Sequence, residues 1–153
     1  MKTLSIINLK GGVAKTISTA TMAYILAAER GYRVLMIDND KQGNLSKMYD
    51  LHSYDHKGTD SLMMERSPIM AALIRHTDYA GLDIITSNMT LINANLTVQM
   101  DQRRPQHDRF QKALSRIGDQ YDFCLIDNAP DINISTVNAL VASDYVMIPV
   151  TID

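Results

Sequence analysis

The chain has 153 residues, of which 46% are hydrophobic and 21% charged, and its formal net charge is −2. This composition predicts one globular domain, and the charge gives no general attraction to nucleic acid or to an anionic membrane. A single cysteine, Cys124, excludes a disulfide framework and favours a cytoplasmic setting. No secretory signal is visible, and no apolar run approaches the ~18 residues that span a bilayer, so we expect no membrane partner.

Apolar runs alternate with helical patterns along the chain. Nearly continuous apolar runs are typical of strands buried on both faces, so the alternation predicts an α/β fold with a mostly parallel sheet between helical layers. Residues 51–68 are the least regular stretch and predict a surface loop with a short helix. In chain order, the pattern predicts a strand over residues 3–9, a helix over 15–30 that stops before Gly31, strands over 32–38 and 81–87, a helix over 106–121, and strands over 122–127 and 144–150.

The stretch NLKGGVAKT, residues 8–16, separates the first strand from the first helix. It is similar to a phosphate-binding loop, but the pattern G-x-x-x-x-G-K-[ST] would need glycine at Leu9 and Ala14. Such loops bind phosphate through backbone N–H groups at a helix N-terminus, and Gly11 and Gly12 supply conformational freedom. A positive φ at Ala14 would cost on the order of 1 kcal/mol. Hydrogen bonds to phosphate at roughly 1.5–3 kcal/mol each outweigh that cost. The alternative is an ordinary strand-to-helix turn with an incidental lysine.

Charged and hydroxyl side chains follow in the positions that nucleotide chemistry needs. Lys15 would reach the β- and γ-phosphates, and the Thr16 hydroxyl would ligate Mg²⁺. Asp38 and Asp127 each end a predicted strand, and continued extended backbone would turn Asp40 the same way as Asp38. Because ligands of such sheets bind at the carboxyl ends of the strands, the loop and the acids are expected to share one site. Solvated or loop-capping acids are the alternative.

Four stretches resemble motifs of the ParA/MinD superfamily of ATPases, most strongly the ParA proteins of chromosome and plasmid partition. KGGVAKT, residues 10–16, resembles the deviant Walker A motif K-G-G-x-[GA]-K-[ST]. VLMIDNDKQGNLS (34–46), YDFCLIDNAP (121–130) and VNALVASDYVMIPV (137–150) resemble the family's later motifs, in the right order. The resemblance implies that residues 1–153 form a single P-loop NTPase-like domain. This domain would be the N-terminal part of a ParA-like domain, truncated on its C-terminal side.

The resemblance also implies roles for individual residues. Lys10 is expected to reach across a nucleotide-sandwich dimer to the partner's phosphates, although a solvated loop lysine is the alternative. Asp40 is expected to orient or activate the attacking water, and catalysis would rest on Lys10, Lys15 and Asp40. Mg²⁺ is expected at Thr16, with Asp38 in its shell and Asp127 acting through water. ATP or ADP is expected to contact Lys10, Gly11, Gly12, Val13, Ala14, Lys15, Thr16 and Ile17.

Three positions depart from the family pattern. Lys41 replaces a proline in the first switch segment, which would make that segment less stiff. Ala129 also stands where the family usually has proline. Ile17 stands where many members have a second hydroxyl near the α-phosphate, which puts that contact in doubt. The second switch is expected to begin at Pro130 and Asp131.

We therefore expect a ParA-like ATPase that switches between monomer and ATP-bound homodimer in DNA partitioning. The full-length family form binds DNA non-specifically, associates with the nucleoid in the cytoplasm and acts with a ParB-like centromere-binding protein. One alternative is a MinD-like division-site ATPase. Another is a non-hydrolysing nucleotide-binding fragment, because the family's adenine and DNA contacts lie largely beyond the equivalent of Asp153.

The stretch DQRRPQHDR, residues 101–109, carries three arginines: Arg103, Arg104 and Arg109. A solvated loop that enters a helix is the favoured interpretation. Contact with DNA or a partner is the alternative.

Overall fold

The computed structural model describes residues 1–151 and places six strands of that range in one sheet. The order across the sheet is β3-β4-β2-β5-β1-β6, and every neighbouring pair is parallel except β3 and β4. The predicted mostly parallel α/β sheet is therefore confirmed, while the last two residues of the predicted domain lie outside the described part. The strands are β1 (Lys2–Ile6), β2 (Val34–Asn39), β3 (Ile74–His76), β4 (Leu82–Ile85), β5 (Phe123–Asn128) and β6 (Tyr145–Met147).

Helices connect the strands and cover the sheet. The first helix ends in a π-helical turn over Ile25–Glu29, and Gly31 follows with a φ of 72°, as its predicted stop position requires. Within residues 1–151, no helix is both long enough and apolar enough to cross a membrane. The α-helices are α1 (Lys15–Tyr24), α2 (Asn44–Met48), α3 (Thr59–Met64), α4 (Met70–Leu73), α5 (Thr90–Met100), α6 (Arg109–Leu114) and α7 (Ile134–Ala142).

The central strand β2 shows why the fold has three layers. Its side chains alternate between the two faces of the sheet. Val34 and Met36 belong to one buried cluster, with Ala23 of α1. Leu35 and Ile37 belong to the other cluster, which α3, α5, α6 and α7 complete. A strand that is buried on both sides needs apolar residues at successive positions, as this sequence provides.

Several predicted boundaries are corrected by the structure. The first strand ends at Ile6, because the chain turns into the loop three residues earlier than predicted. The helix predicted over 106–121 is α-helical only over Arg109–Leu114, with a 3-10 turn over Ser115–Ile117. The short helix predicted within residues 51–68 is α3, and it buries Leu62 and Met63. The elements α2, α4, β3, α5 and α7 were not predicted.

The parallel register brings the site together. Asp38 on β2 stands opposite Asp127 on β5, and Ile6 on β1 stands opposite Asp127 from the other side. The loop that follows β1 therefore lies at the same edge of the sheet as both acids. This is the edge where ligands of parallel α/β sheets bind.

Candidate functional site

The loop between β1 and α1 has the backbone shape of an anion cradle. Gly12 has a φ of 74°, and Ala14, the residue before α1, has a φ of 61° and a ψ of 26°. The positive φ considered for Ala14 is thus present. Within residues 1–151, the N–H groups of residues 11–17 donate to no protein acceptor, and the first helical hydrogen bond runs from Ser18 to the Ala14 carbonyl. Unpaired N–H groups at a helix N-terminus form a ready site for an anion.

A pocket of about 270 Å³ opens above this loop. Lys15 is 8% exposed, and its Nζ donates to the Lys10 carbonyl oxygen at 3.2 Å. The exposed Lys10 lies at the opposite end of the loop, with its Nζ 3.2 Å from the Thr151 hydroxyl. All the predicted nucleotide-contact residues except Lys10 line the pocket, which is bounded by Gly11, Gly12, Val13, Ala14, Lys15, Thr16, Ile17, Asp40, Asn44 and Pro130.

Asp38 is fully buried beneath the pocket. Its Oδ2 accepts hydrogen bonds from the Ser46 N–H at 2.8 Å and the Ser46 hydroxyl at 2.6 Å, and its Oδ1 accepts from the Asp40 N–H at 3.2 Å. Burial raises the pKa of Asp38 to about 6, although the Ser46 bonds oppose the shift. Asp38 is therefore fixed in place by α2, and its hydrogen bond to Asp40 orders the start of the following segment.

Asp127 is 1% exposed and stands beside Asp38 in the register. Burial raises its pKa to about 7. The Thr16 hydroxyl bond and the Lys15 charge oppose the shift, whereas the nearby Asp38 and Asp40 add to it. The loop lysine and the three acids thus act on one another electrostatically across a single site.

These groups fit Mg²⁺, which prefers hard oxygen ligands and usually retains several waters. Asp38 and Asp127 are two buried carboxylates in need of compensating positive charge, and the Thr16 hydroxyl lies against Asp127. Within residues 1–151, no three His, Cys, Asp or Glu side chains form a metal-binding group. A magnesium site here must therefore combine the acids with hydroxyl, water or phosphate oxygens.

Two contacts join the segments that follow the paired acids. The Asn39 Nδ2 donates to the Asn128 Oδ1 at 2.8 Å, and both side chains are buried. At the surface, the Lys41 Nζ lies 3.7 Å from the Asp131 carboxylate. The lysine that replaces the family's proline therefore ties the first expected switch segment to the second.

The sequence analysis missed three residues that shape this site. Ser46 holds the Asp38 carboxylate, and Asn39 and Asn128 join the strand ends. A signal for the last two was present, because both strands end in the letters I-D-N, and parallel alignment of the aspartates places the asparagines opposite each other. Ser46 gave no such signal, since its contact depends on how α2 folds back.

The loop, the buried acid pair and the strand order define a P-loop nucleotide-binding α/β protein. A family model described as an AAA domain matches residues 1–153. The chromosome partitioning protein ParA of Caulobacter vibrioides is 34% identical over 150 residues, which are 97% of this chain and 55% of that protein. The chain thus spans about half the length of that relative.

Two solved structures are similar to this chain in fold. Cobyrinic acid a,c-diamide synthase from Mycobacterium smegmatis, with bound ATP analogue and magnesium, matches with a TM-score of 0.87 and 29% identity, covering 98% of this chain and 60% of the synthase. A plasmid partition protein from Borrelia burgdorferi matches with a TM-score of 0.86 and 28% identity, covering 99% of this chain and 66% of that one. The chain belongs to the ParA/MinD family of P-loop ATPases.

Proposed function

We propose that this chain binds ATP with Mg²⁺ and hydrolyses ATP to ADP and phosphate. One observation carries the proposal: the buried Asp38 and Asp127 pair lies beneath a loop whose N–H groups, from residue 11 to residue 17, are unpaired within the described protein. The loop offers donors for phosphate oxygens, and the acids offer negative charge for a cation. A nucleotide with its metal would satisfy both requirements at once.

Each residue then has a separate task. The loop N–H groups and Lys15 hold the phosphates, and Thr16, Asp38 and Asp127 hold the metal shell. Bound Mg²⁺ supplies positive charge next to the phosphate oxygens. Phosphoryl transfer depends mainly on positioning and electrostatic stabilisation. Asp40 lines the pocket wall, and its task is to orient the attacking water.

We place this activity in an ATP-dependent homodimer that acts in the partitioning of DNA. Lys10 would reach the phosphates of the facing subunit, in the manner of an arginine finger supplied in trans. In a longer family form, non-specific DNA and a ParB-like centromere-binding protein would be the partners, in the cytoplasm at the nucleoid. The name of the Caulobacter relative supports the partition role.

Calorimetry and phosphate release together test the proposal. We expect Lys15→Ala to weaken ATP binding roughly ten- to a hundredfold, because it removes a charged donor worth about 1.5–3 kcal/mol. Asp40→Ala should retain ATP-dependent dimerisation and lose turnover. The control Lys2→Ala removes an equal charge far from the loop and should match the parent.

Two results would contradict the assignment. Equal ATP affinity of the parent and Lys15→Ala would show that the loop does not bind the nucleotide. ATP binding by the parent without phosphate release, at concentrations where it dimerises, would favour the non-hydrolysing alternative.

A further inference from the structure

A second pocket, of about 360 Å³, lies between the segment after α3 and the segment that enters α6. Its lining includes no residue of the phosphate loop and neither of the two buried acids, Asp38 and Asp127. Two acidic residues also line it, Glu65 and Asp108. Six of the chain's fifteen lysines and arginines line this arginine pocket: Arg66, Arg103, Arg104, Arg109, Lys112 and Arg116.

Two of these arginines form a fixed wall. Arg109 is 8% exposed, and its guanidinium donates to the Met63 carbonyl at 2.9 Å, the Pro105 carbonyl at 3.1 Å and the Asp101 carboxylate at 2.8 Å. Arg104 donates to the same carboxylate at 3.1 Å. The expectation that Arg109 belongs to a solvated loop is therefore wrong, because its side chain connects α3 to α6. Two guanidinium groups share the single negative charge of Asp101.

The two acids in the lining are already paired. Asp108 binds Lys112 at 2.8 Å, and the pKa of Asp108 is lowered chiefly by that contact. Glu65 binds Lys57, which lies outside the pocket, at 2.7 Å.

Three arginines consequently lack a carboxylate partner within the described part of the chain. Arg116 donates to the Ser67 hydroxyl at 3.2 Å, and the side chains of Arg66 and Arg103 make no hydrogen bond or ion pair there. On a chain with a net charge of −2, this is a strong local excess of positive charge.

Like charges that converge on a concave surface repel one another unless an anion compensates them. Guanidinium groups present paired donors that match phosphate oxygens, and fixed ones lose little entropy on binding. We infer that the arginine pocket binds a small anion with two or more linked phosphate groups. Three uncompensated charges around one cavity require a ligand with several negative charges. A cavity of about 360 Å³ can enclose a compact anion, whereas a nucleic-acid duplex could only lie across its opening.

Amide NMR spectra of the complete chain, titrated with sodium tripolyphosphate at constant ionic strength and without magnesium, test this inference. Saturable shifts are expected in residues 65–68 and 103–116, separately from shifts in the loop over residues 11–17. Arg66→Gln with Arg103→Gln should weaken the pocket response at least about tenfold and leave the loop response unchanged. Both residues are exposed, so the fold should survive. Arg30→Gln, exposed and outside the pocket, is the matched control and should behave as the parent.

The source of the phosphates is distinguished by a second titration with uridine triphosphate. Tighter pocket binding of the nucleotide would identify a nucleotide ligand, whereas equal or weaker binding would identify an inorganic polyphosphate chain. Three outcomes would overturn the inference: no saturable pocket shift, equal binding of sulfate at the same ionic strength, or pocket shifts with a short DNA duplex but not with tripolyphosphate. None depends on ATP hydrolysis, so this inference and the proposed function can fail separately.

Discussion

Asn39 and Asn128 are hydrogen bonded at 2.8 Å across neighbouring parallel strands, one residue beyond the buried pair Asp38 and Asp127. The Asn128 amide also donates to the Ile6 carbonyl at 3.1 Å. These two hydrogen bonds thus connect the ends of β2, β5 and β1, the three strands that carry the site. The position of Asp38 on β2 is therefore coupled to the position of β5, and that of Asp127 on β5 to the position of β2.

Removing one asparagine should destabilise the protein by more than the net free energy of the hydrogen bond, because the other asparagine is left buried without its partner. Asn39→Ala or Asn128→Ala leaves a buried amide without its partner, and we expect each to lower the free energy of unfolding by about 1–3 kcal/mol. The double variant should lose less than the sum of the two single losses. Urea denaturation measures all three. Exposed Asn93→Ala is the control, and strictly additive losses would show that the pair is not coupled.

Lys10→Ala should leave nucleotide binding by the monomer largely intact while removing dimer formation and ATP hydrolysis. The reason is that the Lys10 side chain is exposed at the opposite end of the loop from Lys15, where its charge can neutralise phosphate on a facing subunit. Sedimentation and phosphate release with ATP measure the two losses.

Mixing Lys10→Ala with Asp40→Ala gives the sharper test. In a mixed dimer, one site combines an intact Asp40 with an intact Lys10 from its partner. Partial recovery of ATP hydrolysis by the mixture would therefore support action of Lys10 in trans. Normal hydrolysis by Lys10→Ala alone, at concentrations where the parent dimerises, would make Lys10 an ordinary loop lysine.

The raised pKa of Asp127, about 7 because of burial, makes the nucleotide-free protein sensitive to pH. The folded state holds this proton more tightly than the unfolded state, so the stabilisation is complete near pH 4 and is lost as pH rises through 7. Asp38, with a pKa of about 6, acts in the same direction. Asp127→Asn should therefore raise Tm clearly more at pH 8 than at pH 5. Thermal melts without magnesium measure this, with exposed Asp55→Asn as control. An equal change at both pH values would contradict the prediction.

Three glycines provide a graded test of backbone packing. A Cβ at Gly58 would lie 2.1 Å from the Thr86 carbonyl oxygen, and one at Gly43 would lie 2.6 Å from the Ser87 carbonyl oxygen. At Gly118 the nearest atom is 3.7 Å away, and the backbone is helical. We expect Gly58→Ala to lose more than about 2 kcal/mol of unfolding free energy and Gly118→Ala to be neutral or slightly stabilising. Gly43→Ala should also be destabilising, through its φ of 63° and the contact. Similar stability of all three variants would refute the packing argument.

The sequence predicted the parts of the fold that local patterns specify. The strands β2 and β5 are nearly continuous apolar runs, and the loop before Lys15 carries its own glycines, so these elements could be placed within a few residues. In contrast, β3 has three residues and pairs antiparallel at the sheet edge, which is too short for a periodic signal. Helix α5 buries Leu91, Ala94 and Val98 but also exposes Leu96, which weakens its helical pattern.

The site shows the same division. Motif spacing predicted which residues would meet at the pocket, because the ends of parallel strands share an edge. The hydrogen bond of Ser46 to Asp38 and the hydrogen bond of Arg109 in α6 to Met63 in α3 span 8 and 46 residues. Such contacts are set by tertiary packing and leave no local pattern in the sequence.

The left-handed backbone of Ala14 has a consequence for binding kinetics. The loop already holds the unusual φ of 61°, and Lys15 is already buried at the pocket, so an arriving nucleotide needs no preceding rearrangement of these residues. The observed association rate should rise linearly with nucleotide concentration, without the plateau that a slow opening step would impose. Differences in affinity between nucleotides would then reside in the lifetimes of their complexes.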